Sequence, residues 1–147
     1  MRSLAGKNPG NLLNNIIEND EMIDKIKNEL GYTVRQTVLT QLKDFKKMKG
    51  ILKTYIMYCN VLNYTVSFRL VKGNEEYEGK KLEVILEKIR KNYNMTKKLF
   101  AKEKLDLTDY NYTYITFERK SCQFSKIKDI FEKKLEYDLY YILKYKE

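Results

Sequence analysis

The chain contains no histidine. That removes the commonest general base and the commonest transition-metal ligand. It also excludes Ser-His-Asp and Cys-His catalysis. Only two cysteines are present, Cys59 and Cys122, 63 positions apart. Two isolated thiols do not make a disulfide framework, and without a CxxC spacing they do not predict a zinc site. Both are read as reduced and partly buried, which suits a reducing compartment. A single proline leaves few hard breaks in the chain. The glycines Gly6, Gly10, Gly31, Gly50, Gly73 and Gly79 are scattered, so no phosphate-cradling loop or dinucleotide fingerprint forms. Met1 to Asn11 holds no apolar core of a signal peptide. No stretch approaches the ~18 uncharged apolar residues of a membrane span. The expectation is a cytoplasmic protein with no membrane partner.

What is present suits one domain over residues 1–147, long enough to bury roughly 70% of its unfolded surface. Hydrophobic residues are 43% and charged residues 33% of the chain, which argues against disorder. The net charge is +9, and only five of the 29 basic residues are arginine. Abundant Lys, Asn, Ile and Tyr are what an AT-rich genome writes, as in a phage, a plasmid or a low-GC bacterium. Codon bias does not explain where the charge lies. Residues 1–34 have net charge −1, residues 35–104 have +10, and residues 105–147 have zero. A polyanion-facing surface accounts for that concentration. A solvated lysine-rich face is the competing account.

Asn8-Pro9-Gly10 predicts a helix start, with Asn8 as cap. Leu12, Leu13, Ile16, Ile17, Ile23, Ile26 and Leu30 continue it over 9–30, with a kink near Asn19-Asp20 and Gly31 as the stop. Thr33-Val34-Arg35-Gln36 fits a capping box. Val38, Leu42, Phe45, Leu52, Ile56 and Cys59 then form a long stripe near a heptad seam, broken by Lys49 and weakened by Gly50. Residues 62–70 alternate as a half-buried strand. An acidic loop follows between Lys72 and Gly79, then a helix over 80–93, and a short helix from the cap Thr96 to Leu105. Asn111 to Arg119 predicts a second strand. Ser125 opens a final helix rich in tyrosine from Tyr137 to Tyr145. The fold class expected is α+β, mostly helical, with a small two- to three-stranded antiparallel sheet.

Several constellations bear on chemistry. Thr96–Leu105, a turn at Asp106–Asp109 and Tyr110–Lys120 have the apolar spacing of a helix-turn-helix, with Asn111, Thr113, Glu118 and Arg119 to face base edges. The same segment alternates, so a strand competes for it. Asp106 with Glu118-Arg119-Lys120, and Glu83 as an extra acid, resembles in outline the D…ExK pattern of the restriction-endonuclease superfamily, a resemblance of three or four residues. It would imply Mg²⁺-dependent nuclease chemistry. Glu132-Lys133-Lys134 is a second copy of that pattern, and a helix rather than a strand precedes Asp106, so the nuclease ranks behind binding. Tyr55, Tyr58, Tyr64, Phe68, Tyr93 and Phe100 lie among the central basic residues, as in proteins that stack rings on bases, although core packing explains them equally. Cys122 follows Arg119-Lys120-Ser121 but has no base partner.

The function expected is a small, non-enzymatic, nucleic-acid-binding accessory or regulatory protein. It would hold phosphates through Arg35, Lys43, Lys46, Lys47, Lys53, Arg69, Lys81, Lys88, Arg90, Lys91, Lys97 and Lys98, converging on a common side. No catalytic residue, metal or cofactor is assigned. The partner is DNA or RNA, or else an acidic or nucleic-acid-binding protein that the chain inhibits or adapts. Residues 34–60 or the tyrosine-rich C-terminal helix offer a surface for a homodimer, because Tyr is enriched at interfaces, but packing within the chain's own domain is the preferred reading of both.

Overall fold

Asn8-Pro9-Gly10 opens a helix as predicted, and the Asn8 side chain accepts the Asn11 N–H at 3.1 Å. The computed structural model describes residues 2–107, 117 and 122–147. A strand β1 (Ser3–Gly6) precedes helix α1 (Pro9–Ile16). The single helix expected over 9–30 is two. The Asn19 carbonyl oxygen of the side chain accepts the Met22 N–H at 3.1 Å and starts α2 (Asp20–Glu29) afresh. Asn competes with the helix ladder for backbone donors, so it caps better than it continues.

The long helix expected over 34–60 is likewise two, α3 (Arg35–Lys46) and α4 (Leu52–Val61). Met48 at φ 59° and Gly50 at φ 114° turn the chain between them. A side chain on Gly50 would also meet the Phe45 ring at 2.9 Å. The continuous heptad seam therefore does not form. Val38, Leu42, Phe45, Leu52 and Cys59 enter the molecule's own core instead. Nor does the Thr33 capping box form. Val34 occupies the cap position of α3 without a side-chain hydrogen bond.

The predicted alternating strand is β2 (Tyr64–Lys72), with Tyr64, Val66, Phe68 and Leu70 buried on one face. The segment read as an acidic loop is a strand, β3 (Glu75–Gly79), paired with β2 through a two-residue turn at Gly73-Asn74. Helices α5 (Leu82–Asn92) and α6 (Lys97–Glu103) follow, and Thr96 caps α6 as predicted, accepting the Leu99 N–H at 3.2 Å.

The largest departure is at the C-terminus. Helix α7 (Phe124–Lys128) runs on as π-helical turns over Asp129–Lys134 and stops. Glu136 at φ 62° reverses the chain into a strand, β4 (Asp138–Tyr145), where a tyrosine-rich helix was expected. Leu139, Tyr141 and Leu143 are buried and alternate with Tyr140, Ile142 and Lys144. Tyr and β-branched residues fit a pleated, half-buried surface, and here that preference prevails over the helical reading. Among the described residues the sheet has four strands rather than two or three, in the order β1-β4-β2-β3, all antiparallel. Apart from Phe117, the strand expected over 111–119 and the recognition helix of the helix-turn-helix lie outside the described residues.

The core is aromatic. Phe45 meets Tyr55, Tyr58 and Phe124 edge-on at centroid distances of 5.4, 5.5 and 5.9 Å. Tyr141 on β4 packs against Phe68 and Phe124 at 5.5 and 5.8 Å. Edge-to-face pairs add about 0.5–1.5 kcal/mol each beyond area burial. The Tyr55 hydroxyl donates to the Pro9 carbonyl at 2.7 Å and so joins α4 to α1. Where α1 crosses α3, Gly10 lies directly on the backbone of Phe45 and Lys46. This crossing seats the C-terminal end of α3.

Candidate nucleic-acid interface

The central positive charge resolves into two segments. Residues 35–61 carry six basic and one acidic side chain, and residues 80–104 carry nine basic and three acidic. Between them the β2–β3 hairpin, residues 62–79, has two basic and three acidic. The first segment builds α3 and α4; the second builds α5 and α6.

The three candidate arginines are engaged within the fold. Arg35 holds the Asp24 carboxylate with two bonds, Nε–Oδ1 at 2.9 Å and Nη2–Oδ2 at 2.8 Å, and approaches Asp20 at 3.3 Å. It thus ties the first turn of α3 to α2. The hydrogen bonds from Arg35 hold the Asp24 carboxyl below the usual carboxylate range. Arg69 on β2 reaches Glu76 on β3 at 2.6 Å. Arg90 holds Glu87 at 2.8 and 3.0 Å and donates Nη1–H to the Met95 carbonyl at 2.7 Å. It fastens the end of α5 to the approach of α6. For the two-bond contacts of Arg35 and Arg90 a planar fork suits better than an ammonium does.

The lysines differ. Lys43, Lys46, Lys47, Lys53, Lys88, Lys91, Lys97 and Lys98 are all exposed. Among the described residues, no carboxylate forms an ion pair with any of them. Lys81 is exposed at the start of α5. On α3, Lys43 and the cap residue Lys47 sit away from buried Val38, Leu42 and Phe45, while exposed Lys46 flanks them beside α1. On α5, Val84, Lys88 and Lys91 follow at steps of four and three, opposite buried Leu82, Ile85, Leu86 and Ile89. Amphipathic spacing places them outward in both helices. Those near helix C-termini, Lys43, Lys46 and Lys91, also complement the helix dipole.

The structure does not gather these lysines into a single group. Helix α1 packs on β1, and α3 packs on α1, with the Asn8 amide donating to the Lys46 carbonyl at 2.9 Å. Lys43, Lys46 and Lys47 therefore lie on the β1 side. Helix α5 packs on β3, with Ile85 against Gly79 and the Asn92 amide donating to the Tyr77 hydroxyl at 2.9 Å. Among the described residues, β1 and β3 are the two outer strands, three spacings apart, or about 14 Å. The two lysine groups occupy opposite edges of the sheet.

No protein family, curated protein or solved structure matches the chain.

The rings expected to interleave with the basic residues are mostly core. Tyr55, Tyr58, Tyr64, Phe68 and Phe100 are buried. Tyr93 alone of that set is half-buried, with Lys104 Nζ 5.0 Å from its ring centroid. Sequence reasoning missed Lys72, whose ammonium donates to the Leu135 carbonyl at 3.0 Å and lies 5.3 Å from the Tyr137 ring centroid. Its place in the alternation of β2 was the available signal. Of the nuclease-like set, Asp106 is exposed and the Glu83 carboxylate accepts the Phe117 N–H at 3.2 Å. Glu118-Arg119-Lys120 lies outside the described residues. Among the described residues, no three His, Cys, Asp or Glu side chains converge to hold a metal. Cys59 and Cys122 are buried, and burial pushes both thiols up. Among the described residues, no helix is long and apolar enough to cross a membrane.

Proposed function

We propose that the protein is a nucleic-acid-binding accessory or regulatory protein that holds phosphate backbones with lysine and reads little sequence. One observation carries this. Eight of the twelve candidate residues are exposed lysines without an ion pair among the described residues, while the candidate arginines are each engaged with a carboxylate. Lysine is a mobile point charge that neutralises phosphate, whereas specific base readout draws most often on the bidentate arginine fork. Committing arginine to internal ion pairs and presenting lysine outward favours backbone contact. The lysine-, asparagine- and isoleucine-rich composition suits a mobile element as the source. The same surface fits a cytoplasmic binder rather than an enzyme, in a chain with no histidine.

The test is a titration of fluorescent duplex, single-stranded DNA and RNA oligonucleotides at several salt concentrations. The logarithm of the binding constant should fall linearly with log salt, by about 0.9 per duplex phosphate contacted, and change little with base sequence. Absence of binding to all three at low salt would retire the proposal. It would turn the search to a protein partner whose acidic groove these lysines cover.

A further inference from the structure

We infer that the two lysine groups are separate phosphate-contacting faces, so that one copy of the chain bridges two polyanionic segments. This rests on the backbone-binding reading above and goes beyond it. Three features of the fold support it. First, α3 and α5 both turn their apolar sides into one shared core, yet α3 packs on α1, which lies at the β1 edge of the β1-β4-β2-β3 sheet, while α5 packs at the β3 edge. Their lysine sides therefore leave the core in different directions. Second, the stretch of chain between the groups is not basic. The β2–β3 hairpin presents exposed Glu75, Glu76 and Glu78, with Glu76 held by Arg69 and Glu75 accepting the Tyr137 hydroxyl at 2.6 Å. A phosphate backbone leaving the α5 group along the outer strand β3 would meet carboxylates. Third, each group is sufficient for several contacts on its own. Lys43, Lys46 and Lys47 share the last turns of α3, while Lys88 and Lys91 lie one turn apart on α5, ahead of Lys97 and Lys98 at the start of α6.

A straight duplex seated against one edge does not reach lysines that leave the opposite edge. Two duplexes, or two distant parts of a folded strand, satisfy both. The chemistry required is only a run of closely spaced phosphates on each side, so duplex DNA is the probe.

The experiment pairs one duplex fixed on beads with a second, fluorescent duplex in solution, and measures co-capture by the full chain. Two charge-reversed variants are compared with it. One carries Lys43→Glu, Lys46→Glu and Lys47→Glu; the other carries Lys88→Glu, Lys91→Glu and Lys97→Glu. Matching Lys→Gln triples, which add no repulsion, guard against a folding defect. The wild-type chain should co-capture the second duplex. Each triple should still bind a single duplex through its remaining face, with a salt slope of about 0.9 per phosphate that face contacts, and should lose co-capture. If the wild-type chain binds one duplex but never captures a second, the inference is overturned and backbone binding stands. If either triple keeps co-capture, bridging comes from association of copies and not from two faces, and the inference is again overturned. If the wild-type chain binds no duplex at all, both readings fall together.

Discussion

Replacing Gly10 with alanine tests the helix crossing that seats the α3 lysines. A Cβ built on Gly10 would stand 2.5 Å from Lys46 Cα, and nearer still to Lys46 N and Phe45 C. Carbon atoms in ordinary contact are separated by about 3.5–4.0 Å, so α1 and α3 must part by roughly an ångström or more. The obstructing atoms are backbone and cannot rotate away. Overpacking of this kind typically costs about 1–3 kcal/mol, and a backbone clash belongs at the upper end. Alanine's better helix propensity returns at most about 1 kcal/mol. The net expected loss is about 2 kcal/mol, or a Tm lower by about 4–8 °C for a domain of this size. Parting the helices also strains the Asn8 bond to the Lys46 carbonyl. Urea unfolding followed by circular dichroism measures the loss. Gly79→Ala is the internal control, because its Cβ would meet only the Ile85 side chain at 3.6 Å. Stability of Gly10→Ala within about 0.5 kcal/mol of wild type, the ordinary scatter of surface substitutions, would refute the close crossing.

Three further outcomes are expected. Tyr141 is buried and its hydroxyl has no hydrogen-bond partner among the described residues, so Tyr141→Phe should be neutral or stabilise by about 1 kcal/mol in urea unfolding. A destabilisation larger than that would show that the hydroxyl is bonded. Arg35 lowers the Asp24 carboxyl, so the pair stabilises the fold above the ordinary aspartate pKa of about 3.9, and that contribution fades as pH falls through the lowered value. Arg35→Gln should return the Asp24 titration, followed by carbon NMR, toward the ordinary range; an unmoved midpoint would contradict the assigned cause. Both thiols are buried with raised pKa values, so Ellman's reagent should modify them slowly at neutral pH and fully once urea unfolds the chain. Rapid modification of the native protein would mean that at least one of them is accessible.

Much of the fold is legible where local chemistry decides it. The Asn8 and Thr96 caps, the alternation of Tyr64 to Leu70 and the apolar side of α5 all form as their spacing predicts. The failures are long-range. Leu135, Leu139, Ile142 and Leu143 satisfy a helical step as well as Leu139, Tyr141 and Leu143 satisfy alternation. What makes Asp138–Tyr145 a strand is its place between β2 and β1, and those partners are remote in sequence. Ser3–Gly6 is four residues of an outer strand and has no signal of its own. Glu75, Glu76 and Glu78 belong to a residue type depleted in strands, yet charge on an outer strand discourages pairing with other chains. The break at Met48 is a non-glycine residue in the left-handed region, which spacing does not reveal. At the candidate site, outward lysines are readable from their positions off the apolar stripes. Their separation is not, because it follows from strand order.

Lysine that faces solvent and arginine that is tied into the fold should have different tasks, and the salt dependence of duplex binding by two variants tests this most directly. In one, Lys43, Lys46, Lys47, Lys88, Lys91 and Lys97 become glutamine; in the other, Arg35 and Arg69 do. The expected result is a shallower salt slope for the lysine variant, by about 0.9 for each phosphate it no longer neutralises, and an unchanged slope for the arginine variant. A lysine variant that binds like wild type, beside an arginine variant whose salt dependence disappears, would contradict the division of tasks.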